Sequence, residues 1–433
     1  AAPTRCRRAW SRRAPSSACH AQLSPTIALS ASIDGAKKYD PVAAAEKSVA
    51  DKDYKSAVIS AKSALQKEPE NARARLLLGQ ALLEDDQPAA AAIELQKALE
   101  LGAPEAKVVP LLARAKLGTG ATREVTLAYG ATRLDDAHAS ADLKTTVATA
   151  FLLLGDKAGA LDTVQAALRE WPQYAPATLL LAHLSAADGD GARALALADE
   201  VLARTPKDGK ALALKAALLR SVNNDADGAL AAYRAAVAAD PRQAAAHAEI
   251  IAMLLERHDV AGAKEQFAQL AKALPNHPTT LLYDARLAYL DKDYTRARDV
   301  AERLLKNYPN DWRALLVAGL AEVQLQHAAK AETYLAQASK ARPDAVLPRQ
   351  ALAQLYLRAG RARDAIGLLQ PILDAKTPDA ESLTLAGLAY LQADDPKRSE
   401  AAFAQAARID PKATTARRAL ANRRATDRHR RGP

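Results

Sequence analysis

The chain has 433 residues, of which 49% are hydrophobic and only 4% aromatic, and its formal net charge is +10. Both cysteines, Cys6 and Cys19, lie near the N-terminus, so a disulfide framework and a cysteine-based zinc site are excluded for the remainder. No stretch approaches the roughly eighteen apolar residues of a transmembrane helix.

The positive charge is concentrated at the two ends of the chain. Residues 1–40 hold seven Lys or Arg against two Asp, and residues 412–433 hold eight against one. The remainder, 41–411, therefore carries a net charge of −2. A nucleic-acid-binding domain shows a basic patch on its folded surface. The body has no such excess, and the sequence predicts no nucleic-acid partner.

A repeated unit runs through the body of the chain. "DKDYKSAVISAKSALQKEP" begins at Asp51, and "DKDYTRARDVAERLLKNYP" begins at Asp291. Prolines recur at a similar interval from Pro69 to Pro411, and the period predicts about eleven helix–turn–helix units between residues 35 and 411. A small residue follows each tight turn at intervals of 34 or 35, with one double step, and the series is Ala57, Ala91, Ala160, Ala194, Ala229, Ala263, Ala297, Ala331, Ala365 and Ser399.

The unit at 276–309 shows how each repeat is built. "TTLLYDARLAYL" predicts a first helix, "DKDY" a tight turn, and "TRARDVAERLLKNY" a second helix that ends before Pro309. The segments "PND", "PKD" and "PEN" supply Asp or Asn to cap the next first helix. Ala297, Ala301, Leu304 and Leu305 form one apolar face. No unit buries such a face alone, so neighbouring units must stack.

This pattern resembles the tetratricopeptide repeat. Gly79, Gly319 and Gly387 match its small first-helix position, and the Ala and Pro series match two others. The resemblance implies an all-α, right-handed α-solenoid of about eleven units. The unit near 104–138 is degenerate because it lacks the Ala and the Pro. The large second-helix position is aromatic or Leu, at Tyr233, Phe267, Phe403, Leu95, Leu335 and Leu369.

Motifs for catalysis are missing from the repeats. The sequence holds no HExxH, and no His pair lies at i, i+4. The stretch "GDGARA" from Gly189 matches part of a dinucleotide fingerprint, but it falls in an intra-repeat turn. We therefore predict a non-enzymatic protein without metal or cofactor, whose Asp and Glu lie in turns and on solvated faces. Five histidines are predicted to be ordinary surface or groove residues: His183, His247, His258, His277 and His327.

The resemblance also implies a binding surface. Stacked first helices present a concave face to a protein partner, and no small-molecule substrate is expected. None of the seven Asn falls within a first helix; they lie in turns, inter-repeat segments or the tail. A carboxylate clamp of the heat-shock co-chaperone type is therefore disfavoured. The residues predicted from their register to project into the groove are Arg286, Tyr289, Gln324, Gln354 and Arg358.

Residues 51–117 resemble a narrower family, the TPR-repeat lipoprotein of the PEP-CTERM/exosortase system. The matching joins are "SALQKEPENARARLLLG" and "ELQKALELGAPEAKVVPLLARA". This resemblance implies a non-catalytic scaffold in the cell envelope of Gram-negative bacteria, facing the periplasm and serving protein sorting and exopolysaccharide production. Membrane association is then expected only through a lipid anchor missing from this chain.

The ends depart from that family. Residues 1–20 contain five Arg and no apolar run, and "SSAC" before Cys19 lacks the hydrophobic stretch of a lipobox. After "PKATTARRALA" the pattern collapses into "NRRATDRHRRGP". We expect residues 1–34 and 412–433 to be basic tails, either out-of-frame sequence or genuine disordered tails. Two other functions stay open: a cytoplasmic TPR adaptor for peptides or helices, and the TPR arm of an enzyme whose catalytic part is missing.

Overall fold

A computed structural model describes residues 39–375, 377–412 and 414–421. These residues form α-helices joined by short turns, and none of them lies in a strand. They fall into two compact units, one ending at Ala103 and the other beginning at Pro104. The predicted tail 1–34 and the last twelve residues of the predicted tail 412–433 lie outside the described residues.

The first unit holds two helix pairs, and the second holds nine. This arrangement confirms the predicted all-α fold of repeated helix pairs. In the first unit the helices are α1 (Pro41–Ala50), α2 (Tyr54–Lys67), α3 (Ala72–Glu84) and α4 (Pro88–Glu100). In the second unit they are α5 (Glu105–Gly118), α6 (Thr122–Tyr129), α7 (Ala137–Leu153), α8 (Lys157–Glu170), α9 (Ala175–Ala187), α10 (Gly191–Arg204), α11 (Gly209–Ser221), α12 (Ala226–Ala239), α13 (Ala244–Glu256), α14 (Val260–Ala273), α15 (Pro278–Leu290), α16 (Tyr294–Asn307), α17 (Trp312–Gln324), α18 (Ala328–Ala341), α19 (Val346–Arg358), α20 (Ala362–Leu373), α21 (Ala380–Gln392) and α22 (Pro396–Ile409).

The two "DKDY" tetrapeptides form the same turn. Lys52 has φ 58° and Lys292 has φ 64°, so the backbone reverses through the left-handed region in both. The next residue, Asp53 or Asp293, accepts a hydrogen bond from the backbone N–H three residues further on. Each tetrapeptide therefore ends a first helix and caps a second one. Asn71, Asp208 and Asp311 cap first helices in the same way, as predicted.

The predicted small residues of the second helices are the points of closest helix packing. All ten members of the series, from Ala57 to Ser399, are buried. The matching glycines of the first helices meet a large side chain of their own repeat, because a Cβ added to any of them would lie only 2.5–2.7 Å from it. These facing pairs are Gly79 with Leu95, Gly319 with Leu335, and Gly387 with Phe403.

A side-chain donor recurs at each of several inter-repeat prolines. It lies six residues after the proline, in the first turn of the next first helix, and it donates to the proline carbonyl oxygen. The bond gives a partner to a backbone acceptor that the helix ladder leaves free. The donor–proline pairs are Arg75–Pro69 (2.9 Å), His247–Pro241 (3.1 Å), Arg349–Pro343 (3.2 Å) and Arg417–Pro411 (3.3 Å).

Three predictions about polar residues were wrong. His247 is fully buried rather than on the surface or in a groove, because its ring occupies this donor position under the inter-repeat proline. Glu322 is also fully buried, although carboxylates were predicted in turns and on solvated faces. Asn307 ends the second helix α16 rather than lying in a turn. The position of each residue within its repeat decided where its side chain lies, although polar residues of these types are usually found at the surface or in turns.

The repeat near 104–138 is irregular, as predicted. Its second helix, α6, has only 8 residues, and Pro110 lies inside α5. Val125 occupies the buried position where the other repeats have Ala or Ser. Beyond α22, residues 414–421 are also helical, and their buried Ala416 packs with Phe403 and Ala406.

Candidate partner-binding cleft

A cavity of about 530 Å³ lies along the first helices of the second unit, and we call it the first-helix cleft. Equivalent positions of successive repeats line it at intervals of 34 residues. One row of this kind is Thr145, Leu179 and Ala213, and a second row is Thr149, His183 and Ala217. The cleft is therefore a product of repeat stacking along α7, α9, α11 and α13.

The floor of the first-helix cleft is apolar. Leu179, Leu180, Leu214 and Ala246 line it and are buried between the helices beneath. The Tyr233 side chain reaches the cleft from α12. Burial, together with the nearby Glu249 carboxylate, raises the pKa of Tyr233 to about 12, so its hydroxyl keeps its proton near neutral pH. Apolar side chains of a partner would gain contact area on this floor.

The polar groups of the cleft differ in availability. Thr145 and Thr149 donate their hydroxyl protons to carbonyl oxygens of their own helix, at 2.7 and 2.8 Å. Glu249 is engaged by Arg220, whose guanidinium lies 3.1 Å from the carboxylate. Lys210 is exposed and forms no ion pair or hydrogen bond with the described part of the chain. A free cation thus stands beside an apolar floor.

His183 lines the middle of the cleft. Its side chain is open to solvent on one side, yet the surrounding helices remove enough water to lower its pKa. Desolvation disfavours the charged imidazolium, so the ring is neutral near pH 7. It can therefore both donate and accept a hydrogen bond within the cleft.

The five predicted groove residues lie on later first helices and do not line this cleft. The Arg286 guanidinium stacks over the Tyr283 ring, 5.1 Å from its centroid. The ring of Tyr289 packs on that of Tyr294, with centroids 5.4 Å apart. Both Arg286 and Tyr289 belong to α15. The others are Gln354, whose amide lies 3.5 Å from the Glu381 carboxylate, and the exposed helix-end residues Gln324 and Arg358.

Two of the predicted groove residues and two residues of the first-helix cleft occupy the same position within their repeats. Arg286 and Gln354 each stand eleven residues before the small residue of their repeat, and so do Thr149 and His183. Applying this spacing to every repeat would have included α7 and α9. The depth of the cleft there has no signal in the sequence, because it depends on how four helices pack. The roles of the five predicted residues remain predictions.

Among the described residues, no three His, Cys, Asp or Glu side chains are grouped so that they could hold a metal ion. None of the described helices has both the length and the apolar character to cross a membrane.

Comparison with solved structures returns matches at low sequence identity. A tetratricopeptide repeat protein from Parabacteroides merdae is 16% identical, covers 65% of this chain and 97% of its own, and has a TM-score of 0.36. The structure from the functional characterization of Pseudomonas aeruginosa pilF is 18% identical over 50% of this chain and 98% of its own, with a TM-score of 0.42. Yeast Tom70 is 16% identical over 83% and 90%, with a TM-score of 0.43.

Family models give the more direct assignment. No curated protein matches the sequence. One model described as tetratricopeptide repeat matches residues 48–115 and 151–218, and a second with the same description matches 253–312, 282–346 and 351–414. Together these matches span more than half of the chain. The chain therefore belongs to the tetratricopeptide repeat family.

Proposed function

We propose that this protein is a scaffold whose first-helix cleft binds a segment of a protein partner that combines apolar side chains with a carboxylate. Tetratricopeptide repeats are protein-interaction modules, and proteins built from them are generally non-catalytic scaffolds. The observation that carries the proposal is the cleft itself. It joins an apolar floor to the unpaired Lys210 along four consecutive first helices.

The chemistry of the partner segment follows from the lining. Apolar side chains would rest on Leu179 and Leu214, which are already desolvated from below. A carboxylate would pair with Lys210, while the neutral His183 ring adds a hydrogen bond without a charge. Glu249 stays with Arg220 and does not compete for that cation.

The proposal is tested with a displayed peptide library selected on the wild-type protein. Selected peptides should carry a carboxylate beside apolar residues. They should bind the Lys210→Glu variant about tenfold more weakly, since a charged hydrogen bond is lost and a repulsion gained. Lys207→Glu is the matched control, because Lys207 is exposed and does not line the cleft. Equal binding of the peptides to both variants would contradict the proposal that they bind in the first-helix cleft.

We further propose that the scaffold works in the bacterial cell envelope, in the PEP-CTERM/exosortase protein-sorting and exopolysaccharide system. The support is the sequence resemblance over residues 51–117. Fractionation of the source bacterium tests it: the native protein should sediment with membranes and be released by detergent but not by salt. Deletion of its gene should impair sorting of PEP-CTERM proteins. Recovery in the cytoplasm, with sorting intact, would favour a cytoplasmic adaptor instead.

A further inference from the structure

A second cavity, of about 750 Å³, lies between the second helices α12 and α14, and we call it the second-helix cavity. It shares no lining residue with the first-helix cleft. Ala238 and Ala273 lie in its walls, and these small side chains leave the space between the helices unfilled. Val237 and Leu254 are buried at its base. The volume lies within the range of about 300–1,000 Å³ that is typical of small-molecule pockets.

The polar part of the base is neutral. His247 has no solvent exposure, and its Nε2–H donates to the Pro241 carbonyl oxygen at 3.1 Å. Its Nδ1 then accepts from the Gln266 amide at 2.6 Å, and this pair of partners assigns the tautomer. Desolvation lowers the pKa of His247, so the ring carries no charge near pH 7. The base therefore offers apolar contact and no net charge.

The rim carries the charge. Arg234 and Lys272 stand on α12 and α14, and Glu265 on α14 also lines the cavity. All three are exposed, and none forms an ion pair or hydrogen bond with residues 39–421 where these are described. Two unpaired cations against one carboxylate leave the rim with an excess positive charge. An anionic group entering the cavity would therefore find charge-assisted hydrogen-bond donors that the protein itself leaves unused.

We propose that the second-helix cavity binds a small amphipathic anion. Its apolar body rests on Val237 and Leu254, and its anionic group is held by Arg234 and Lys272. The cavity shares no lining residue with the first-helix cleft, so a ligand here leaves that cleft free. Binding of this anion does not depend on which partner occupies that cleft.

Isothermal titration with three probes of equal chain length tests the charge rule. Octanoate should bind saturably at one site, and octylammonium and 1-octanol should bind about tenfold more weakly or not at all. Equal binding of octanoate and 1-octanol would overturn the anion assignment. Preferential binding of octylammonium would assign the site to Glu265 and overturn it as well. Failure of octanoate to bind would overturn the proposal entirely.

Two matched pairs of variants locate the binding. The double variant Arg234→Gln/Lys272→Gln should weaken octanoate binding about tenfold or more, whereas Arg303→Gln/Lys306→Gln on α16 removes two exposed cations elsewhere and should not. Ala238→Leu fills the cavity and should abolish binding. Its control is Ala203→Leu, at the equivalent exposed position of α10. Unchanged binding to Ala238→Leu would show non-specific association and overturn the site.

Discussion

Two buried polar pairs in the second unit differ in how completely their polar atoms are hydrogen-bonded. At the base of the second-helix cavity, His247 and Gln266 are 0% and 7% exposed, both neutral, and both ring nitrogens have a partner. Near the end of α17, Glu322 is 0% exposed, while the side chain of its partner His327, in the turn before α18, is 51% exposed. The His327 Nδ1 lies 2.6 Å from Glu322 Oε2. In the first pair both ring nitrogens are hydrogen-bonded, whereas in the second pair one carboxylate oxygen has no hydrogen-bond partner among the described residues.

The difference lies in the second carboxylate oxygen. Glu322 Oε1 has no hydrogen-bond partner among the described residues, and the nearest cation, Lys330 Nζ, is 3.9 Å away. Glu322 stands nine residues before the small residue of its repeat, where other repeats place Leu254, Tyr356 and Tyr390. A charged group thus occupies an apolar register position with one good contact. A buried polar group is stabilising only when all of its partners are present.

Removing His327 should have the largest effect on stability. His327→Ala leaves the buried Glu322 without its hydrogen-bond donor, and we expect the free energy of unfolding to fall by about 3 kcal/mol. No helix-cap bond is lost, because the His327 side chain makes none. Urea unfolding followed by circular dichroism measures the change. His258→Asn, at an exposed turn histidine whose φ of 59° Asn adopts readily, is the control and should change stability by less than about 0.5 kcal/mol. Equal losses in both variants would contradict the comparison.

The neutral pair should be less sensitive to loss of a partner. Gln266→Met keeps the side-chain length and leaves His247 Nδ1 without its donor, at a cost of about 1–2 kcal/mol. Gln269→Met, one turn nearer the end of α14 and exposed, is the control within the same helix. The same urea titration gives both values. A cost equal to that of His327→Ala would show that charge is not what separates the two pairs.

Replacing the carboxylate should reverse the sign of the effect. Glu322→Leu places an apolar side chain where Leu254 stands in another repeat, and we expect a gain of about 1 kcal/mol, because the desolvation of a half-paired charge disappears. In the double variant Glu322→Leu/His327→Ala, the loss caused by His327→Ala alone should vanish. A loss in Glu322→Leu would mean that the ion pair is net stabilising.

At neutral pH the smallest effect is the pH dependence carried by His247, because it develops only as the pH falls below about 6.5. Burial depresses the pKa of His247 in the folded protein below its unfolded value of about 6.5. The unfolded chain therefore binds the proton first as the pH falls, and stability is lost below pH 6.5 by no more than about 1.4 kcal/mol per pH unit. His247→Gln should flatten the curve of unfolding free energy in that range and run parallel to wild type above pH 7. Curves that stay parallel at every pH would exclude His247 as the source.

The position of a residue within its repeat predicted its burial better than its residue type did. The spacing of the small residues placed Ala297 and its equivalents in the core, and all of them are buried. The same spacing puts His247 under a proline and Glu322 in the core, yet their chemistry suggested a surface position. Stacking with the neighbouring repeat buries a register position whichever residue fills it, so polar residues there acquire partners or strain the packing. The predicted groove residues, such as Arg286, were chosen by register alone, and register gives no measure of depth.

By itself, the sequence determined the helix pairs, their turns and their caps. These features depend on residues three or four apart in the chain, such as Asp293 and the N–H it caps, so they can be read locally. Only the tertiary structure decided where cavities open and which polar groups lose water. Lys272 lines the same cavity as Arg234, 38 residues earlier, and Gln266 bonds to His247, 19 residues earlier. Such meetings depend on the spacing of packed helices, because a missing methyl group in one repeat opens space beside a side chain of another.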